Sequence, residues 1–450
     1  MPSTYLKSKE STELESVPIS ITRNAETVSP DITLETLVSE FAKHGKPIEV
    51  NFRELSPIKP GEDRYTHLVH SYPAKLLPNI PAFFLGCEAL AAQGQLVYDP
   101  FCGTGTVLVE GMVSGMRLAG ADSNPLARLI TRAKTTWLPE AFLEEQLETV
   151  LRIAAATEPT MFSPVVSVER WFTESAADGL GRIRSAIEKA TSDQARTFFL
   201  VCLSQIVRRC SLADPRLSVP VRVKEEPATP PRPIDLFEKV ARQNILRVSS
   251  LPIGCTQAQI HRDARIPIGQ DEEPTSLADL VITSPPYAGA QKYIRASSLN
   301  IGWLALAPTK KLRDLEKLNI GREHHSAAEI PSTYSALPLD IQNEIERISL
   351  QNGERAHIFG IYMLEMQTAV QAIRKSLKIG CCAVLVMGDN QICGKPVHTS
   401  RYIRNLFALS GFTVELEIVD HIKSRGLMTK RNKTAGLISH EHVFILRREK

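Results

Sequence analysis

Leu96-Val97-Tyr98-Asp99-Pro100-Phe101-Cys102-Gly103-Thr104-Gly105-Thr106, continuing as Val107-Leu108-Val109-Glu110-Gly111, is the stretch on which the fold turns. A short apolar run ends at an acidic residue, a loop with two glycines follows, and a helix is predicted to open near Thr106. Gly103 and Gly105 let the backbone come close to a ligand, and the helix N-terminus offers unpaired N–H groups to a carboxylate. Arg117-Leu118-Ala119-Gly120-Ala121-Asp122 reads as a second strand ending in an acid, where an Asp can accept both hydroxyls of a ribose. Upstream, Pro78 to Gln93 has helical spacing. Helix, strand, loop, helix and strand in that order predict a parallel sheet covered by helices on both faces.

A second stretch answers the first: Asp279-Leu280-Val281-Ile282-Thr283-Ser284-Pro285-Pro286-Tyr287. It reads as a buried strand that stops in a rigid loop. Ser284 precedes a proline and is pushed to extended geometry, while Pro285 and Pro286 have fixed φ and leave their carbonyls free as acceptors. Such a rim suits a planar base whose amine donates to the Ser284 hydroxyl and the Pro285 carbonyl while its ring stacks on Tyr287. An exocyclic amine shares its lone pair with its ring, and acceptors placed for the transition state favour the tetrahedral nitrogen that can attack. Alone, the motif reads equally as a proline-rich turn after a core strand. The glycine loop upstream decides between the two.

Asp99-Pro100-Phe101-Cys102-Gly103-Thr104-Gly105 resembles the S-adenosylmethionine loop of the DNA amino-methyltransferases, and Thr283-Ser284-Pro285-Pro286-Tyr287 resembles their catalytic loop in the form typical of the cytosine-N4 branch. His70-Ser71-Tyr72-Pro73-Ala74-Lys75, with Pro78 just after, is similar to the family segment that closes over the methionine part of the cofactor. Gln259 to Arg265 resembles the third cofactor segment, in which an acid, here Asp263, accepts the adenine amine. The resemblance spans roughly 50–136 and 246–450. It implies an α/β fold: a Rossmann-like methyltransferase sheet with helices on both faces and an antiparallel C-terminal hairpin. It also implies S-adenosyl-L-methionine as cofactor, held by Lys75, Asp99, Pro100, Phe101, Gly103, Thr104, Gly105, Asp122, Asn124 and Asp263. The catalytic loop is then Ser284, Pro285, Pro286 and Tyr287, acting on N4 of a flipped-out cytosine with no metal. N6 of adenine presents the same amine to the same loop, and Ser rather than Asp or Asn at 284 favours cytosine. An RNA guanine-N2 methyltransferase is the more distant alternative. Asn124 and Pro125 read equally as a border to the adenine ring and as an ordinary N-cap with a first-turn proline. The cofactor motif precedes the catalytic one, a departure from many cytosine-N4 enzymes.

With 53 basic against 50 acidic residues in 450, the chain is nearly neutral, so nucleic acid has to be met by local patches. The eight cysteines include no C-x-x-C pair and read as reduced thiols of a cytosolic enzyme, with Cys102 a small buried filler. Cytosine-C5 enzymes of the known kind need a nucleophilic cysteine after proline, and the chain has no Pro-Cys dipeptide. No cleavable signal and no membrane-length apolar run is found, so the expected location is the cytoplasm, at a bacterial or archaeal nucleoid. Expected partners are double-stranded DNA and a cognate restriction endonuclease; the oligomeric state is not set.

Three parts are expected. Residues 1–45 form a mobile N-terminal arm with a short helix over Asp31 to Lys43, capped by Asp31 or Thr33; Pro47 to Arg53 alternates like a strand. Residues 46–136 and 246–450 form the catalytic domain, interrupted at 137–245 by a largely helical insertion with helices near Leu143 to Ala156, Ser175 to Thr191 and Gln194 to Arg209. The insertion reads equally as a DNA-recognition element, with Arg208, Arg209, Arg216, Arg222 and Lys224 near phosphates, and as a helical cap on the core. Tyr293 to Arg295 and Ser298 to Leu304 suggest a helix facing the base pocket. The polar stretch 307–355, with Lys310, Lys311, Arg313, Lys317, Arg322, His324 and His325, is a candidate DNA-facing loop, its histidines solvated rather than metal-bound. A helix over Ile358 to Leu377, a turn at Lys378-Ile379-Gly380, a strand over Cys381 to Gly388, a helix over Arg401 to Ser410 and strands over Thr413 to Val419 and Glu441 to Arg447 complete the chain. Between the last two strands lies the densest basic run, with Lys423, Arg425, Lys430, Arg431 and Lys433 as candidate phosphate contacts.

Overall fold

The structure is a computed structural model that describes residues 16–18, 29–56, 58–59, 62–73, 75–156, 158, 166–224, 231–254, 257–270, 276–289, 293–307, 311–421 and 440–449. The basic run, with Lys423, Arg425, Lys430, Arg431 and Lys433, lies outside the described residues, as does most of the N-terminal arm. Among the described residues no helix is long and apolar enough to cross a membrane.

Eleven strands are described: β1 (Val17–Pro18), β2 (Ile48–Val50), β3 (Leu96–Asp99), β4 (Arg117–Ala121), β5 (Gln259–His261), β6 (Ala278–Thr283), β7 (Leu377–Met387), β8 (Asn390–Ile392), β9 (Lys395–Val397), β10 (Phe412–His421) and β11 (His440–Arg448). Nine of them make one sheet in the order β1-β2-β10-β11-β7-β6-β3-β4-β5. All neighbours are parallel except β11, which runs antiparallel to β10 on one side and to β7 on the other. This is the expected Rossmann-like sheet with its closing hairpin. From β3 the chain builds outward through β4 to β5, then returns to lay β6 and β7 on the other side of β3. The order reverses between β3 and β6, and the crevice beyond the carboxyl ends of strands at such a switch point is where an open α/β sheet binds its ligand.

Alternation along the strands sorts side chains onto two faces. Val97, Leu280, Ile282, Val384 and Ile418 pack under the helices Pro30–His44, Asn79–Leu85 and Thr106–Val113. On the opposite face Tyr98, Val281, Leu385 and Phe444 pack under Leu339–Ser349, Gly353–Ser376 and Thr399–Leu409. A third core belongs to the insertion. Its helices Glu140–Ala156, Glu174–Ala190, Asp193–Val207 and Pro233–Ser249 close around Phe198, Phe199 and Phe237, and the same core takes in Leu126 and Ile130 from the helix Pro125–Lys134. That continuity joins the insertion to a helix of the catalytic sheet. Three of its cations are engaged within the insertion. Arg208 donates to the Ser218 carbonyl at 2.6 Å, Arg216 pairs with Asp214 at 2.7 Å, and Arg222 donates to the Arg170 carbonyl at 2.9 Å.

Several local expectations are corrected. Lys378-Ile379-Gly380 is no turn but the start of β7, whose register against β6 shifts between Ala278 and Leu280; Gly380 at φ +79° takes up the irregularity. The helix expected over Pro78 to Gln93 is confined to Asn79–Leu85, stopping at Gly86. Ser29, not Asp31 or Thr33, caps the first helix, and Val17–Pro18 of the arm pairs in parallel with β2. Only Ile48–Val50 of the strand expected over Pro47 to Arg53 forms; a helical turn, Phe52–Leu55, follows. Of the helix expected to face a base pocket, Tyr293 of the turn Tyr293–Ala296 reaches the cleft beside Ser284, whereas Ser298–Trp303 faces the third core with Leu299, Ile301 and Trp303 buried there. From the polar stretch, Leu339–Ser349 buries Ile341, Ile345 and Ile348 against the sheet.

Candidate active site

Two neighbouring strands end together. β3 stops at Asp99, which is 3% exposed, and the last residue of β6, Thr283, donates its hydroxyl to Asp99 Oδ1 at 2.7 Å. The Phe101 N–H donates to the same oxygen at 3.1 Å. One carboxylate thus ties the glycine loop to the proline loop. Burial pushes it up to about 7, against the pull of the two donors.

The two glycines do different work. Gly105 has φ +76°, and a Cβ there would meet Thr131 Cγ2 at 2.8 Å, so the turn is pressed against the helix Pro125–Lys134. Gly103 has φ +50°, and a Cβ there would meet nothing within 4 Å; its open side is the cleft. The same helix holds the loop carbonyls. Thr131 Oγ1 donates to Gly103 O at 3.0 Å, and the buried Lys134 Nζ to Thr104 O at 2.8 Å. Asp122, just past β4, accepts the Gly103 N–H at 3.0 Å and the Asn124 N–H at 2.7 Å, one on each oxygen. Burial pushes the Asp122 carboxyl up to about 6, against the Asn124 and Gly103 N–H groups and the nearby Arg128. Asn124 is the N-cap expected of it, accepting the Leu126 N–H at 3.0 Å.

A cleft of about 660 Å³, measured to its open mouth, lies over the switch point. Of the residues expected from sequence, Pro100, Phe101, Gly103, Asp122, Asn124 and Asp263 line it, and so do Ser284 and Pro286 from the second loop. The two distant motifs therefore share one cavity. Asp263 is forked by Arg265, Nε to Oδ1 at 2.9 Å and Nη2 to Oδ2 at 2.7 Å, which fixes the carboxylate at the cleft wall. Among the described residues, none hydrogen-bonds the Ser284 hydroxyl.

Other expected residues stand elsewhere. Asp99, Thr104 and Gly105 form the scaffold behind the wall. Lys75 turns its ammonium to the carbonyls of His67, at 3.1 Å, and His70. Pro285 is buried, and Tyr287, half-buried and not among the residues lining the cleft, has its hydroxyl 3.5 Å from Glu441 Oε1 of β11. Burial and that carboxylate push the Tyr287 phenol well above its ordinary value.

Two rings that the sequence places near the site, without a role for either ring, line the cleft. Tyr72 and Tyr293 stack with centroids 6.5 Å apart and planes 12° from parallel, and the Tyr72 hydroxyl accepts from Asn124 Nδ2 at 2.8 Å. The signal for Tyr72 is its place in the segment His70 to Lys75 and that for Tyr293 its place after the proline loop; their stacking, across 221 residues of chain, is beyond any local pattern. Asn319 and Ile320, from the polar stretch, close the cleft on a third side.

No family model matches the chain. The chain is 26% identical over 299 residues to the Type II methyltransferase M.MvaI of Kocuria varians, an alignment that covers 62% of this chain and 65% of that protein, just under two thirds of its length. It is 34% identical over 71 residues, 16% of this chain and 13% of the relative, to the Type II methyltransferase M.MjaII of Methanocaldococcus jannaschii. Among solved structures, the rRNA methyltransferase aviRa from Streptomyces viridochromogenes aligns over 88% of this chain and 96% of that one at 11% identity, with a TM-score of 0.33. That superposition is too loose to carry fold or function.

Proposed function

We propose that the chain is an S-adenosylmethionine-dependent DNA methyltransferase that modifies an exocyclic base nitrogen, N4 of cytosine. The observation that carries this is the single cleft bordered by Gly103 and Asp122 on one side and by Ser284 and Pro286 on the other. The similarity to two Type II methyltransferases supports methyl transfer; double-stranded DNA is the proposed substrate and a cognate restriction endonuclease the proposed partner.

The residues present fit the cofactor. The open side of Gly103 is a place where any Cβ would intrude, and Asp122 has acceptor capacity left for a vicinal diol after its two backbone bonds. Asp263 would accept the adenine amine, and Tyr72 with Asn124 would form the adjoining wall. When bound, S-adenosylmethionine supplies an electrophilic methyl group on a sulfonium. On the other side, the Ser284 hydroxyl and the Pro285 carbonyl would accept the two N–H bonds of the base amine. Both acceptors hold the nitrogen toward tetrahedral geometry, where its lone pair is freed from the ring. Positioning supplies the rest of the acceleration. Stacking on Tyr287 requires that ring to be uncovered when the base enters; Tyr293, already at the cleft wall, is the ring that the base would meet first. Extruding the base costs a few kcal/mol, which contacts to the duplex must offset.

Ser284 favours cytosine over adenine, since an Asp or Asn there would mark the adenine enzymes. The test offers labelled methyl donor with duplex DNA and, separately, with RNA, and resolves the digested nucleosides by mass. N4-methylcytosine is expected. N6-methyladenine would move the assignment to the other branch, and N2-methylguanine in RNA or no product would remove it.

A further inference from the structure

We infer that a second groove beside the cleft seats backbone phosphates of the DNA strand that carries the target base. The inference rests on the reading above and extends it to a surface. The groove holds about 580 Å³ to its mouth and shares Tyr293 and Asn319 with the cleft, so it begins where the rim of the cleft ends.

Its lining is cationic. Arg295, Arg313, Lys317 and His324 face it, all four exposed, and among the described residues no acidic side chain pairs with any of them. Two of its three acids are answered by other cations: Glu329 takes Arg322 at 3.1 Å, and Glu323 faces Arg355 at 3.8 Å. Glu316 alone remains against three fixed positive charges and one imidazole. A concave surface whose unpaired charges are mostly positive favours a polyanion. The position chooses which polyanion. A nucleotide extruded toward Ser284 keeps its own strand attached, so the flanking phosphates are delivered to the rim that Tyr293 marks. A strip of fixed cations at that rim meets them without reaching into a base stack, and such contacts carry no sequence information.

The test uses the full-length protein and a duplex oligonucleotide containing cytosine, with affinity read by fluorescence anisotropy over a range of salt. The double variant Arg313→Gln/Lys317→Gln is compared with Arg374→Gln/Lys375→Gln, which removes two charges at the C-terminal end of Gly353–Ser376, where the chain enters β7 at the end of the strands opposite the cleft. The groove variant is expected to lower the slope of log K against log salt by roughly 0.9 for each phosphate no longer neutralised, close to 2 for the pair. It should weaken all duplexes alike and leave S-adenosylmethionine binding, followed by calorimetry, unchanged. The control pair should keep the wild-type slope. An unaltered slope in a groove variant that melts at the wild-type temperature overturns the inference while DNA methylation by the wild type stands. Loss of affinity for single-stranded RNA with duplex binding intact also overturns it. A wild-type protein that neither binds nor methylates DNA removes both readings together.

Discussion

Asp122 gives one lone pair of each carboxylate oxygen to a backbone N–H, from Asn124 and from Gly103, and has the remainder to offer the cleft. The group must be ionised to accept two hydroxyls, and burial has raised it to about 6. Cofactor affinity should therefore loosen as the pH falls through that value, approaching about tenfold per pH unit below it. The sign follows from protonation: the proton occupies an acceptor that the diol needs. Calorimetric titrations at pH 5 and 8 test this, and a flat profile in the wild type would exclude Asp122 from the diol. Ser284 makes the complementary case. Ser284→Ala should leave the cofactor Kd unchanged while lowering kcat by roughly 10²-fold, the effect of deleting one preorganised hydrogen-bonding group. Single-turnover rates with a cytosine duplex decide it, and an unaltered rate would remove the hydroxyl from the chemistry.

At the scale of elements, the glycine loop separates folding from binding within three residues. Gly105→Ala forces a Cβ to 2.8 Å from Thr131 at φ +76°, so it should destabilise the protein by about 1–3 kcal/mol through strain and overpacking. Gly103→Ala has room for the Cβ and carries only the positive-φ strain, so it should cost about 1 kcal/mol, less than Gly105→Ala, while cofactor binding is lost into the cleft it now fills. Thermal scans paired with calorimetry on both variants check the contrast; equal loss of stability in the two would show that the loop has no open side. This loop was legible in the sequence because strand, glycine and helix cap are local signals, and so were β6, β10 and β11. What was not legible depends on partners far away. Gly380 reads as a turn until β6 is there to accept an irregular β7, and the hairpin β8–β9 hides a turn at Cys393 and Gly394, both at positive φ, within a polar stretch. The helix Pro233–Ser249 starts after a proline-rich segment and declares itself only through Phe237, Ala241 and Ile245 packing on the insertion. Tyr287, expected to stack in the cleft, sets its hydroxyl 3.5 Å from Glu441, a residue whose strand the motif could not place.

For the whole molecule the question is whether the insertion is a detachable reader of DNA or part of the body that builds the cleft. Ser204 sits at the junction. It lies on the insertion helix Asp193–Val207 with no exposure, its Oγ is 3.0 Å from His70 Nε2, and Asn300 Nδ2 donates to both its carbonyl, at 2.6 Å, and its Oγ, at 2.9 Å. His70 precedes the glycine loop in sequence and Asn300 follows the proline loop, so one hydroxyl joins the insertion to both halves of the catalytic sheet. Burial, with Lys75 nearby, pulls His70 down to about 3, so the imidazole is neutral at any working pH and the contact is a hydrogen bond between neutral groups. Ser204→Ala removes the hydroxyl without adding bulk and leaves two buried polar groups short of a partner, at a cost of about 1–3 kcal/mol each. The expected result is a lower melting temperature in a single transition, with weaker S-adenosylmethionine binding because the Tyr72 wall next to His70 shifts with it. A separable reader would behave otherwise: the insertion would melt in its own transition, cofactor binding would hold, and only DNA affinity would fall. Calorimetric scans of the variant with and without the methyl donor distinguish the two, since a ligand that binds the cleft stabilises everything that unfolds with it and nothing that does not.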